Sequence, residues 1–228
     1  IYGFAGSTNF VIIASQLNSN EYVLSFGIVF ILVGLAFKIS AVPFHMWTPD
    51  VYQGAPAPVT SFLASAVKVA VFAFAMRWLM MAQGDYLTLL LLGLTIMAAL
   101  SMVAGNLLAL RQDNLKRLLG YSSIAHMGYV IITLAATATP GPDSISTALE
   151  GAAVYLITYA SMTMLAFAVI SQLASKDRRF ESGTLIHYSG LLFQQPWLAS
   201  ALILAMLALA GMPLTAGFIG KYYLVLVA

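Results

Sequence analysis

The chain has 228 residues, 61% hydrophobic and only 8% charged, with mean hydropathy +0.92. A soluble domain carries roughly 25% charged residues, so a deficit this large excludes an ordinary water-soluble globule and makes lipid the solvent. The net charge of +2 is too small to argue for nucleic acid, and with no cysteine the chain offers no disulfide, thiolate metal site or iron–sulfur ligation.

Taken in chain order, the first residues, "IYGFAGSTNF", have no charged n-region and no initiator Met, so they do not read as a signal peptide. Residues 1–5 read as the tail of a preceding span, and 7–18 are too short to cross and read as a loop or interfacial segment. A spanning helix needs about 20 mainly apolar residues. Five stretches meet that length: about 22–44, 58–81, 86–108, 118–138 and 148–174. A sixth begins near Trp197 and runs to about 226. Between the last two, residues 184–195 mix polar and apolar side chains and predict an amphipathic connecting helix along the surface. The last residues, "KYYLVLVA", stop inside an apolar run, so both ends read as cut from a longer chain. The expected architecture is a single all-α transmembrane bundle over 1–228, with about six to seven spans.

The loops set the orientation. Residues 109–117 carry Arg111, Lys116 and Arg117, and residues 175–183 carry Lys176, Arg178 and Arg179, whereas "TPGPDSIST" between them has no Lys or Arg. Six of the ten basic residues therefore fall on alternate loops, which places those two loops on the cytoplasmic side. Arg77, near the outer end of its span, runs against this rule and is read as snorkelling.

Four ionisable groups lie within predicted spans: Lys38, Lys68, His126 and Lys221. A charge at a helix centre costs about 2.5–3.5 kcal/mol on insertion scales. Lys68 is near the middle of 58–81. His126 lies nine residues beyond Arg117, about 13 Å at helical rise, and so is also near mid-membrane. One such lysine is commonly a structural ion pair; three with a histidine at comparable depth point to a proton relay. Two prolines accompany them. Pro43, five positions after Lys38, cannot donate to the Ile39 carbonyl, and Pro213, beside Gly211, cannot donate to that of Leu209. Irregular backbone at membrane depth is tolerated only where it is buried in protein or faces water, so each break predicts a hydrated pocket beside a lysine. "VGLAFKISAVPF" and "MLALAGMPL" echo one another in this, and paired interrupted helices point to a transport site, although prolines are also common in membrane helices.

His45, just past Pro43, is a candidate proton-entry residue and equally an interfacial histidine. His187 is read as solvated and Glu150 as structural at a helix start. Tyr121, Ser122, Ser123 and Tyr129 flank His126 and could hold water for proton hopping, or glue helices together. Neither a nucleotide-binding motif nor a metal-ligand cluster is present in the sequence.

"FKISAVPFHMWTPDVYQGAPAPVTSFLASAVKVAVF", "NLKRLLGYSSIAHMGY" and "LAGMPLTAGFIGKYY" resemble the antiporter-like membrane subunits of respiratory complex I, the proton-translocating NADH:quinone oxidoreductase. The wording "WTPDVYQGAP" is similar to the subunit N branch (subunit 2 in mitochondrial naming). The resemblance covers essentially the whole chain. It implies an inverted-repeat antiporter-like fold with two proline-broken helices, and Lys38, Lys68, His126 and Lys221 lining a hydrated midplane axis. It implies a glutamate opposite Lys38 that lies before Ile1. It further implies a non-redox subunit, with FMN, iron–sulfur clusters and quinone held by other subunits, neighbouring antiporter-like subunits as partners, and a bacterial inner-membrane location. The alternative expectation is a cation/proton antiporter subunit with no redox partner.

Overall fold

The computed structural model describes residues 2–9, 12–13, 22–79, 86–136 and 144–227. The expected interfacial stretch 7–18 falls largely outside them, as do residues 80–81 and 137–138 of two expected spans. After a single turn, α1 (Tyr2–Ala5), come α2 (Tyr22–Ile39), α3 (Trp47–Gly54), α4 (Ala57–Ala64), α5 (Ala66–Leu79), α6 (Tyr86–Ala109), α7 (Leu115–Ala136) and α8 (Ser144–Lys176). Two 3-10 turns, Arg178–Ser182 and Leu185–Tyr188, lead to α9 (Leu191–Gln194), α10 (Pro196–Ala210) and α11 (Ala216–Val227).

Among the described residues, four helical stretches are long and apolar enough to cross a membrane: Ala57–Trp78, Leu90–Ala109, Leu115–Ala135 and Ser146–Lys176. Val29–Ile39, Pro196–Ala210 and Ala216–Leu226 are shorter apolar helices. Large apolar side chains lie on the outer surface as well as in the hydrophobic core. Phe30, Leu92, Val103, Ile157 and Leu204 face outward, while Ser65, Lys68, Ser101, Ser123, His126, Thr133 and Thr163 are buried. Backbone polar groups are satisfied within each helix, so such faces can meet lipid, and polar side chains gather where protein surrounds them.

Helix α8 is the central post. It packs against α4, α5, α7, α10 and α11, and α6 packs tightly along α7. The α6–α7 contact is made by small residues: a Cβ on Gly105 would lie 2.6 Å from the Ala125 nitrogen, and one on Gly128 would lie 2.8 Å from the Ala98 carbonyl oxygen. Without a hydrophobic drive between helices in lipid, such close backbone approach supplies the van der Waals contact that holds them.

The breaks differ from the sequence expectation in their cause. The first helix has already ended at Ile39, short of residue 44. Ser40 takes φ 65°, the Ala41 amide bonds back to the Ala36 carbonyl, and Pro43, on a cis bond, lies inside the non-helical linker 40–46. The Phe37 carbonyl receives the Ser40 amide and, at 2.9 Å, the Trp47 indole N–H. The second break is a left-handed helix ending. Gly211 (φ 79°) donates to the Leu207 and Ala208 carbonyls, the conformation glycine adopts without steric cost. The stretch expected as a span over 58–81 is the membrane-length stretch Ala57–Trp78, interrupted at Ser65, whose hydroxyl back-bonds to the Ser61 carbonyl at 2.5 Å, a contact that bends helices. Residues 184–195 form a 3-10 turn and a one-turn helix rather than one amphipathic helix, divided at Gly190 (φ 73°).

The two basic loops meet. The Leu115 amide donates to the Gly183 carbonyl at 2.7 Å, the Leu185 amide to the Asp113 carbonyl at 2.9 Å, and Asn114 Nδ2 to the Ser182 carbonyl at 2.6 Å. Asn114 Oδ1 also caps α7 by accepting the Lys116 and Arg117 amides.

Candidate functional site

Lys68 sits in the first turn of α5, just past the Ser65 bend, with no solvent exposure. Its ammonium donates to Ser123 Oγ on α7, and the Tyr52 ring of α3 lies 5.9 Å away. The Tyr52 hydroxyl is buried and makes no hydrogen bond of good geometry among the described residues. The Ser123 hydroxyl is also 2.5 Å from the Tyr159 hydroxyl of α8. Among the described residues the ion pairs are Arg117–Asp50 and Arg179–Asp177, so Lys68 has no carboxylate partner there. A buried ammonium with no counter-charge is among the costliest groups a membrane helix can carry.

One turn along α7, His126 continues the line. Its Nδ1 is 2.5 Å from the Tyr155 hydroxyl of α8, and its ring lies 5.2 Å from that of Tyr159 and 6.2 Å from that of Tyr129. Tyr129 in turn faces Lys221 on α11, whose ammonium is 5.4 Å from the ring. Lys221 donates to the Leu209 and Ala210 carbonyls at 3.1 and 3.0 Å. These are the end carbonyls of α10, and Leu209 is the one Pro213 would leave open. A cation at a helix C-terminus is favoured by the helix dipole. The Gly211 Cα stands so close to Lys221 that a Cβ there would meet its Cδ at 2.9 Å.

The result is a buried polar seam. Ser123, His126 and Tyr129 are spaced i, i+3, i+6 along α7, and Tyr155 and Tyr159 are spaced i, i+4 on α8, so each set shares a face. Three of the four sequence candidates, Lys68, His126 and Lys221, are brought together on it. Lys38 is not: it is exposed near the end of α2 and makes no hydrogen bond or ion pair among the described residues. His45 is buried beside the first break, its Nδ1 without a partner there. Glu150 is exposed, and His187 Nδ1–H donates to the Arg179 carbonyl at 2.8 Å.

Sequence reasoning missed Tyr155 and Tyr159, whose only signal was two phenols one turn apart inside an apolar helix. It also counted Lys116 as a loop charge. Lys116 is 3% exposed and reaches the Ala55 carbonyl at 3.3 Å and that of Gln53 at 3.5 Å, at the end of α3. At the loop side of the membrane, the Arg179 side chain hydrogen-bonded to Asp177 holds that carboxyl below the usual carboxylate range, and burial pushes the Tyr188 phenol up to about 12. Among the described residues no cluster of three or more His, Asp or Glu is placed to hold a metal ion.

A bundle of apolar helices with ammonium, hydroxyl and imidazole groups threaded along its interior defines a polytopic helical membrane protein. The chain belongs to the transmembrane family described as "NADH:quinone oxidoreductase/Mrp antiporter, TM", which it matches over residues 1–228. It is 47% identical over 229 residues to the NADH-quinone oxidoreductase subunit N of Ectopseudomonas mendocina (strain ymp), covering 99% of this chain and 44% of that protein. It thus spans less than half the length of that relative. Its structure is similar to a chain of respiratory complex I from Thermus thermophilus with bound aureothin (TM-score 0.73, 38% identity, 96% of this chain and 48% of that one). It is also similar to a chain of the archaeal membrane-bound sulfane sulfur reductase (TM-score 0.87, 28% identity, 100% and 45%). A chain of the Mrp complex from Dietzia sp. DQ12-45-1b, at 22% identity, shares the fold (TM-score 0.80, 100% and 40%).

Proposed function

We propose that this chain is the proton-conducting part of a non-redox membrane subunit of a bacterial NADH:quinone oxidoreductase, in the inner membrane among other antiporter-like subunits. It forms one transmembrane domain in which 22–54 and 196–227 are the two proline-interrupted helices of an inverted repeat. FMN, iron–sulfur clusters and quinone lie in other subunits. The observation that carries this reading is the seam itself: a wholly buried Lys68 hydrogen-bonded to Ser123, which meets the Tyr159 hydroxyl, with His126 packed against the Tyr159 ring and Tyr129 between it and Lys221.

Lys68 holds a proton when the local field favours the ammonium and passes it along the seam when a neighbouring charge shifts. Lys221 receives it at the α10 carbonyls. Lys38, exposed on α2, is the outer member of the relay, and its expected partner is a glutamate of the longer protein. His45 is the entry residue. Charges in a poorly polarisable interior interact strongly over several ångströms, so Lys38 switching with its partner biases Lys68.

The test is Lys68→Ala in the full-length protein in native membranes. Proton translocation is expected to be abolished or sharply cut while the complex still assembles; a normal proton-to-electron ratio would sink the reading. A cation/proton antiporter subunit is the second reading, favoured by the shared family description and the Mrp-like fold. Flavin and iron–sulfur absorbance in the purified native assembly supports the first reading, and its absence the second.

A further inference from the structure

We propose that the Ser123 and Tyr159 hydroxyls form a reversible two-step link through which Lys68 exchanges its proton with the His126 end of the seam. The inference rests on the relay reading above and assigns the groups that join its first two members.

Most hydroxyls in the bundle turn back onto their own helix. Thr95 donates to Leu91, Ser101 to Met97, Thr133 to Val130, Thr158 to Tyr155 and Ser161 to Ile157, each to a backbone carbonyl. That is the usual resting place of Ser and Thr in a membrane helix. Ser123 makes no such bond. It bridges two other helices, accepting from the Lys68 ammonium on α5 and meeting the Tyr159 hydroxyl on α8 at 2.5 Å. Lys68, Ser123 and Tyr159 are all buried, at 0%, 2% and 1% exposure. No bulk water competes for these groups, so their hydrogens are constrained by one another.

The constraint gives the row a direction. Each hydroxyl owns one hydrogen. When Lys68 is an ammonium it donates to Ser123, so the Ser123 hydrogen points to Tyr159 and the Tyr159 hydrogen is directed away from Ser123; the Tyr159 and His126 ring centroids are 5.2 Å apart. When Lys68 is a neutral amine it carries a lone pair. The row then reverses, with Tyr159 donating to Ser123 and Ser123 to Lys68. The two arrangements are the two ends of one proton transfer. The Lys68 proton moves to Ser123 Oγ as the Ser123 hydrogen moves to Tyr159 Oη and the Tyr159 hydrogen leaves for the imidazole, by way of a water where the ring stands off. Lys68 ends neutral and His126 ends as imidazolium. Both hydroxyls end uncharged with their hydrogens reoriented, and neither an alkoxide nor a phenolate persists. Tyr155 prepares the acceptor: with Nδ1–H donated to its hydroxyl, 2.5 Å away, the Nε2 nitrogen holds the free lone pair.

The test deletes single oxygens from the full-length protein in native membrane vesicles. Tyr159→Phe keeps the ring packed beside His126 and removes only its hydroxyl; Ser123→Ala removes the other link, and Ser123→Thr restores it. Lys68→Ala reports separately on the relay. A positioned proton-transfer group contributes roughly 10²-fold or more to its own step. Read through a turnover that other steps also limit, Tyr159→Phe and Ser123→Ala are expected to slow proton translocation by about tenfold or more. Ser123→Thr is expected to stay near wild type, and both slow variants to show an enlarged solvent deuterium isotope effect. Wild-type translocation by Tyr159→Phe alongside a dead Lys68→Ala overturns the link and leaves the relay standing. Equal loss in Ser123→Ala and Ser123→Thr also overturns it, since packing alone would then explain both. Normal translocation by Lys68→Ala would remove the relay beneath it.

Discussion

A very close backbone approach at Gly217 supports a quantitative prediction. A Cβ added there would lie 1.7 Å from the Ala208 carbonyl oxygen and 2.7 Å from its carbon. The shortest ordinary C···O contact is about 3.3 Å, so Gly217→Ala requires α11 to move off α10 by about 1.6 Å. The obstacle is backbone in the last turn of a helix, not the tip of a flexible side chain. The Lys221 hydrogen bonds to the Leu209 and Ala210 carbonyls, at 3.1 and 3.0 Å, have only a few tenths of an ångström of slack. At least one is expected to lengthen or break. Overpacking of this kind costs about 1–3 kcal/mol, and a lost hydrogen bond to a charged group adds about 1.5–3 kcal/mol, giving roughly 3–6 kcal/mol together. Gly93→Ala is the control, because a Cβ there meets nothing within 4 Å. The assay is thermal inactivation of the full-length protein in native membranes, with proton translocation measured at the growth temperature. Gly217→Ala is expected to inactivate at markedly lower temperature and to impair translocation as Lys221→Met does, although residue 217 carries no polar group. Gly93→Ala is expected to match the wild type. Wild-type heat stability and translocation in Gly217→Ala would refute the reasoning.

Lys116→Met is expected to destabilise the protein more than Arg117→Met. Lys116 is a buried cation on the end carbonyls of α3, worth about 1–2 kcal/mol, while the Arg117–Asp50 pair, with side chains 28% and 71% exposed, contributes no more than about 1 kcal/mol; equal shifts in inactivation temperature would contradict this. The Asp177 carboxyl, depressed by the Arg179 side-chain hydrogen bond, contributes stability above its unfolded pKa, and that contribution is lost as pH falls through its lower folded value. Amide protection over 177–183, measured against intrinsic exchange at each pH, is therefore expected to fall at acid pH in the wild type, and an Asp177→Asn variant is expected to lack that acid-dependent step.

The seam's charged members were legible in the sequence because charge in an apolar helix has few innocent explanations. Lys68, His126 and Lys221 stand out on composition alone. Their connectors did not. A tyrosine in a membrane helix reads as a hydrophobic ring or an interfacial anchor, and only the packing register of α7 on α8 brings the Tyr155 and Tyr159 hydroxyls onto the seam. Lys116 was hidden by the same loop count that oriented the helices, since that count treats every flanking lysine as solvated. Pro43 and Pro213 lie in the linkers 40–46 and 211–215 between helices, but the hydrogen bonding there was not readable from them. At the first break, Ser40 in a left-handed conformation and the distant Trp47 indole settle the carbonyls. At the second, a lysine twelve residues past Leu209 does so. Such partners depend on the chain doubling back, which no local pattern records.

The tie between the two basic loops carries a consequence in time. Asn114 waits for a carbonyl 68 residues further along the chain, and at a synthesis rate of about 5–20 residues per second that wait is roughly 3–14 s. During it, α6 and α7 stand as a hairpin with the Asn114 carboxamide still in water. Only when α8 has threaded back and delivered Ser182 and Gly183 does the latch close. The tie then records that the following span is in place, joining the ends of α7 and α8 before the last two helices arrive.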